Sequence, residues 1–262
     1  MQKKILINAL HTVTGGGLVY LQHVLPYLAE EAKRRDWQLT LVCPPKTESS
    51  LNIPETIDLK VVNITGFFKT MWYEQCILPF WCYKNGFKAV LCNANYTPLF
   101  APRPLPILHT NPNVRHHIAD KGVFAYGGKF YWPIFMTLTR LSLWRAPIAF
   151  SVAAHVVPHY SKQAAKQISK RVRIASPACD ISQVKPAKRS GHHILAVGDV
   201  YPQKNYMLLL HAFKILKQEK LNTTLQFIGR TIDLVEYKKM ENFVAEHKLE
   251  SAITLPSPLA HK

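Results

Sequence analysis

Short apolar runs recur along the chain at intervals that leave room for one helix between them. No other feature of the sequence narrows the fold as much. Runs rich in Val, Ile and Leu at 4–9, 38–43, 59–64, 88–92, 105–109, 154–157 and 171–175 read as strands, and helical patterns at 17–35, 68–84, 129–150 and 161–169 lie between them. Strands that are apolar on both faces and joined by helices belong to a parallel sheet covered on both sides, which predicts an α/β fold. In the first helix Leu18, Leu21, Leu25 and Leu28 keep 3/4 spacing, and Lys33, Arg34 and Arg35 sit in the last turn, where the helix dipole favours cations. Pro26 predicts a kink in it.

The composition changes at "SPACDISQVKPAKRSGHH", a small, polar and basic stretch without periodicity. It divides the chain into a first Rossmann-like domain, 1–176, a linker, 177–192, and a second Rossmann-like unit, 193–262. The second unit reads as strand 193–198, helix 205–219, strand 223–228, helix 233–247 and strand 252–255. With about three strands written, its sheet reads as incomplete, with one face and one edge short of cover, marginal unless another chain completes it. A length of 262 residues at 48% apolar content is enough for two such cores.

Lys and Arg number 33 against 16 acidic residues, a net charge of +17, so partners bearing phosphate or anionic lipid are favoured. Nucleic acid is not expected, because the charge forms no dense basic tract and no helix-turn-helix, RNP or zinc-finger pattern is present. Five cysteines without a C-x-x-C pair point to a reducing compartment. The start "MQKKILINAL" lacks the length and cleavage pattern of a secretory signal, and no apolar run reaches the roughly 18–20 residues of a membrane span. These features predict a cytoplasmic protein, soluble or peripheral on the inner face of a membrane. The segment 127–145, with Lys129, Arg140 and Arg145 among aromatics, reads either as a surface for bilayer headgroups or as a core helix on the sheet. No metal is assigned: Pro158 opposes a helix that would align His155 with His159, and the pairs His116–His117 and His192–His193 lie in polar loops.

Two strand-to-helix junctions are suited to phosphate. In "NALHTVTGGGLVYLQHVL", Gly15, Gly16 and Gly17 permit close backbone approach ahead of a helix N-terminus. The spacing is not G-x-G-x-x-G, and "VCPP" stands where an acidic residue would hold a ribose, which argues against NAD. A tight turn with no ligand is the alternative. In "VGDVYPQKNYMLLLHAF" a strand ends at Gly198, and Lys204 and Asn205 precede a helix, adding a mobile cation to the helix dipole. Taken alone, that lysine reads equally as a solvated loop charge.

"AVGDVYPQKNYMLLLHAFKIL" resembles the opening of the C-terminal domain of glycosyltransferase family 4, and "LQFIGR" its next strand. "GGGLVYLQHVLPYLAE" resembles the family's Gly-rich loop and first helix, "VVPHYSKQAAKQI" the strand and Ser-started helix late in the N-terminal domain, and "ASPACDISQVKP" stands at its linker. The resemblance implies a retaining, nucleotide-sugar-dependent GT-B enzyme, hexosyltransferase-like and free of metal. It would move a sugar from a nucleotide diphosphate to a polysaccharide or lipid-linked acceptor of the cell-surface or O-antigen type, with the donor between two domains.

By the same resemblance, Gly15 to Gly17 would lie against the donor diphosphate and the acceptor, and Gly198, Lys204, Asn205, Gly229 and Arg230 at the donor diphosphate, with Lys204 neutralising charge on the leaving group. His109 would sit beside the transferred sugar as the candidate catalytic residue; a histidine capping a strand end is the alternative. Two departures stand out. Asp199 and Gln203 occupy places where the family carries an Arg, so either phosphate affinity is weaker or Arg230 substitutes. The family's E-x7-E element would follow beyond Lys262, which reads as a C-terminal truncation that leaves activity open. The competing expectation is a non-catalytic basic scaffold that binds nucleotide or nucleic-acid phosphate.

Overall fold

Strand β1 (Lys3–Asn8), helix α1 (Gly16–Arg34) and strand β2 (Trp37–Cys43) form the first βαβ unit, with β1 and β2 paired in parallel from Lys3↔Trp37 to Asn8↔Val42. Successive side chains point to opposite faces, and this decides what covers each. Ile7, Leu39, Leu41 and Cys43 pack on Leu21, Leu25, Ala29 and Ala32 of α1, whereas Leu6 and Val42 face the other way. α1 runs unbroken through the exposed Pro26, on the side where water can satisfy the carbonyl left unpaired a turn earlier. The computed structural model describes residues 2–13, 16–108, 131–154, 170–176, 193–219 and 221–256.

The first unit continues through α2 (Pro45–Glu48), β3 (Ile57–Val61), α3 (Phe67–Trp72), α4 (Leu78–Lys84), β4 (Phe87–Cys92), β5 (Pro104–Leu108), α5 (Tyr131–Arg145), β6 (Ala149–Ser151) and β7 (Val172–Ile174). The seven strands pair in parallel in the order β3-β2-β1-β4-β5-β6-β7. Leu78 and Cys82 of α4 cover Leu6, Val42, Val90 and Cys92 on the face opposite α1. Burial pushes the Cys43 thiol up to about 11 and the Cys82 thiol up to about 12, as expected of thiols that pack as small hydrophobes.

Two segments differ from the sequence expectation. The helix read over 68–84 contains a π-helical turn, Tyr73–Ile77, between α3 and α4. Pro79 has no N–H to give the carbonyl of Gln75, and the wider turn falls directly before it. The helix read over 129–150 ends at Arg145, just ahead of Pro147, and Ala149–Ser151 is instead a strand between β5 and β7. Ala154 is not in a strand, and 155–157, the helix 161–169 and the linker 177–192 lie outside the described residues. α5 buries Phe135, Thr139, Ser142 and Leu143 and exposes Arg140, Leu141 and Trp144, so from residue 133 onward one side of it is core. No helix among the described residues is long and apolar enough to cross a membrane.

The chain divides into two compact units, Met1–Gln183 and Val184–Lys262. The second consists of β8 (His193–Val197), a 3₁₀ turn at Pro202–Lys204, α6 (Tyr206–Gln218), β9 (Thr224–Ile228), α7 (Leu234–Glu246) and β10 (Ile253–Thr254), with parallel strand order β10-β9-β8. Leu225 and Phe227 of β9 bury against Tyr206, Leu210 and Phe213 of α6 and Met240, Phe243 and Val244 of α7. Leu195, Val197 and Ile228 on the opposite face are exposed, which is the bare face that a three-stranded parallel sheet predicts.

Candidate functional site

In the first unit the strand order runs outward in one direction from β1 through β2 to β3, and in the other from β4 onward. The carboxyl ends of β1 and β4 therefore flank a topological switch point, where open α/β sheets form their ligand crevice. Asn8 ends β1 and Cys92 ends β4, and Asn93 N–H donates to the Asn8 carbonyl at 2.9 Å. Asn93 Nδ2 donates to Thr12 Oγ1 (2.9 Å) and to the Gly17 carbonyl (3.0 Å), tying the β4 loop to the first turn of α1. A side chain on Gly17 would touch Asn93 and Thr12 at ordinary contact distances, and one on Gly16 would meet nothing within 4 Å.

Behind this turn lies a polar cluster. Glu74, fully buried in the π-helical turn, accepts from Asn8 Nδ2 through Oε1, and its Oε2 lies 2.8 Å from His11 Nε2. Tyr96 Oη is 2.7 Å from the same nitrogen. Burial pulls the His11 pKa down, but the Glu74 charge and hydrogen bond outweigh it, so the net shift is upward. With Nε2 held by Glu74 and Tyr96, Nδ1 has no hydrogen-bond partner among the described residues. The cluster thus presents a part-exposed imidazole, held by a carboxylate, beside the Gly-rich turn. π turns inside α-helices are often found at functional positions.

The second unit presents the strand-to-helix junction after β8. Gly198 has φ +148°, a conformation that side chains rarely adopt, and a Cβ there would stand 3.3 Å from Lys204 Nζ and 2.9 Å from Tyr206 Oη. Tyr206 Oη donates to the Gly198 carbonyl at 3.0 Å and locks the loop. Asn205 is left-handed (φ 49°); its carbonyl accepts from Leu208 N–H at 3.0 Å, and its side chain makes no cap hydrogen bond to the first turn of α6. Arg230 is committed to Asp199: Nε donates to Oδ1 (3.1 Å), Nη2 to Oδ2 (2.6 Å), and the Arg230 backbone N–H to Oδ1 (3.0 Å). Hydrogen bonds from Arg230 hold the Asp199 carboxyl below its usual range, and the charge of nearby Lys204 adds to the effect.

Of the sequence-derived candidates, Gly198, Lys204, Asn205, Gly229 and Arg230 come together at this junction, where a Cβ on Gly229 would collide with the Gly198 carbonyl. Gly16 and Gly17 open α1, whereas Gly15 and His109 lie outside the described residues. Sequence reasoning passed over Asn8, His11, Glu74, Asn93 and Tyr96. The signal for Glu74 was present: a single carboxylate in the apolar helix "FFKTMWYEQCILPFWCYK". The surface also has a hollow of about 350 Å3 lined by Lys4, Gln38, Asp58, Lys60 and Trp81, but none of these residues lies at the carboxyl ends of β1 and β4.

No protein-family model matches the chain, and no curated protein matches its sequence. Solved structures match it in fold. HepE from Anabaena in complex with UDP-glucose aligns with a TM-score of 0.65 at 12% identity, over 97% of this chain and 68% of that one. The lipopolysaccharide outer core galactosyltransferase WaaB aligns with a TM-score of 0.56 at 12% identity, over 99% and 68%. The UDP-GlcNAc 2-epimerase of Methanocaldococcus jannaschii aligns with a TM-score of 0.57 at 10% identity, over 100% and 74%. The fold is GT-B.

Proposed function

We propose that the protein is a glycosyltransferase of the family 4 kind, moving a hexose with retained configuration from a nucleotide-diphosphate sugar to a polysaccharide or lipid-linked acceptor at the cytoplasmic face of a membrane. The observation that carries this reading is the junction after β8. There Lys204 Nζ lies close to a glycine whose backbone conformation side chains rarely adopt, directly ahead of a helix whose N-cap side chain makes no cap hydrogen bond. A departing nucleoside diphosphate gains negative charge as the bond to the anomeric carbon breaks, and a fixed cation with oriented amides stabilises that charge more in the transition state than in the ground state. Such a site needs no bound metal. Because Asp199 occupies the Arg230 guanidinium, Lys204 is the cation assigned to the phosphate. The polar turn of the first unit, with Gly16, Gly17 and His11, is assigned to the acceptor side. His109 keeps its proposed place by the transferred sugar. HepE and WaaB lend support through the UDP-glucose and the galactosyl transfer named for them.

Incubating the protein with a panel of UDP-, GDP- and ADP-sugars tests this directly. Nucleotide release is expected from one of them, and Lys204→Gln should lower kcat/KM by about 10²–10³-fold, as loss of one preorganised charge-stabilising group does. An unchanged rate in Lys204→Gln would refute the assigned role. The anomeric proton of the product, read by NMR, decides retention. The epimerase shares the fold, so a product epimerised without an acceptor would favour that chemistry, and binding without turnover would favour the non-catalytic phosphate scaffold.

A further inference from the structure

The Phe67–Lys84 segment is apolar on two sides, yet only one of them is covered. Thr70, Glu74, Leu78 and Cys82 turn inward and are buried. Phe68 (58% exposed), Trp72 (65%) and Phe80 (71%) recur with Cys76 at every fourth residue on the outward side, flanked by exposed Ile77 and Tyr83. A helix that is apolar all round belongs in a core, and an exposed apolar strip of this length marks an interaction surface. The only acidic residue of the segment, Glu74, faces inward, while Lys69 and Lys84 are exposed. The outward side therefore carries aromatic rings and cations and no carboxylate.

The strip continues onto its neighbours. Gln75 Nε2 donates to the Thr97 carbonyl (3.1 Å), Leu99 N–H donates to Gln75 Oε1 (3.0 Å), and Arg145 Nε donates to the Leu99 carbonyl (2.9 Å). This bridge from the π turn to the end of α5 carries the exposed Phe100 next in sequence and ends beside exposed Trp144. The sequence that follows is strongly basic, with Asp120 and Asp180 the only acidic residues between Glu74 and Asp199. A second copy would bring like charge against like. An anionic lipid surface instead complements the cations, and Phe, Trp and Tyr favour the headgroup boundary.

We infer that the outward face of Phe67–Lys84, with Phe100 and Trp144 beside it, docks the protein on an anionic bilayer. This surface supplies the membrane contact of the proposed reaction, yet vesicle binding requires no sugar transfer, so the two readings fail separately. The test is co-sedimentation with phosphatidylcholine vesicles with and without phosphatidylglycerol, with an environment-sensitive fluorophore on Cys76 in a Cys179→Ser background. The expected result is binding to the anionic vesicles only, weakened by salt, with a blue shift of the probe. Trp72→Ser with Phe80→Ser should lower the partition coefficient at least about ten-fold, the scale of losing one buried aromatic side chain, without shifting the thermal melt. Lys69→Glu with Lys84→Glu should abolish the preference for anionic lipid. No sedimentation, a probe that does not respond, or a double variant that binds like the parent would overturn the proposal. So would a parent that is dimeric in sedimentation velocity and becomes monomeric on losing Trp72 and Phe80, since a second copy would then cover the face.

Discussion

Gly229→Ala is expected to unfold the second unit while leaving the first intact. A Cβ at this position would stand 2.0 Å from the Gly198 carbonyl oxygen, 2.5 Å from its carbon and 3.1 Å from the Asp199 nitrogen. All three are backbone atoms, so no rotamer change relieves the overlap. Nor can the backbone retreat easily, because Gly198 N–H donates to Ile228 O (2.8 Å) and Val200 N–H to Arg230 O (2.9 Å), which pins the two loops together on either side of the contact. Overpacking of this kind costs about 3 kcal/mol or more. The overlap falls at the ends of the paired strands β8 and β9, on which the core of this unit is built. Hydrogen exchange followed by mass spectrometry should show β8, β9 and α6 losing protection in the variant while β1, β2 and α1 keep theirs. Gly16→Ala is the control, since a methyl group there meets nothing within 4 Å. A variant with native protection across Thr224–Ile228 would contradict the close approach.

The sheet was legible because burial on both faces writes Val, Ile and Leu continuously into parallel strands, as in "ILIN" and "LTLVC", and the turns between them are short. The junction after β8 was legible for a different reason: Gly198, Lys204 and Asn205 lie within eight residues of one another, so local sequence carries the constellation. The cluster around His11 was not, because its members lie as far apart in sequence as Asn8 and Tyr96 and meet through strand pairing of β1 with β4 and the packing of the π turn against them. Nothing in a 3.6 or 2.0 periodicity tells a buried glutamate on a helix from an exposed one. The π turn was equally silent, since it follows from the missing amide of Pro79 rather than from an apolar pattern. Arg230 shows the converse limit. Its position was readable, but its engagement by Asp199, 31 residues away, depends on strand register.

Stability of the first unit should fall as pH rises through neutrality, and Glu74→Gln should remove that dependence. The folded His11 pKa lies above its ordinary value of 6.5, with the Glu74 charge outweighing the cost of burial. A group whose folded pKa is raised contributes stability that is fully present below the unfolded value and is lost as pH climbs through the folded value. The window therefore opens near 6.5 and extends upward. Glu74 from the π turn, Tyr96 from the loop after β4, and Asn8 of β1 with the Cys92 thiol of β4 meet at this cluster among the described residues, and the upward shift of His11 is caused by Glu74. Glu74→Gln keeps the shape and a hydrogen-bonding amide but lacks the charge, so its stability should be flat where the parent's declines. Glu74→Ala takes the carboxylate from both Asn8 and His11 and leaves a cavity beside them, and breaking a buried pair in this way costs about 3–5 kcal/mol. Urea titrations at intervals from pH 6 to 8.5, with the variants subtracted from the parent, isolate this pair from the other histidines. Parallel curves for parent and Glu74→Gln would mean that His11 is neutral in the folded state and that the carboxylate serves Asn8 alone.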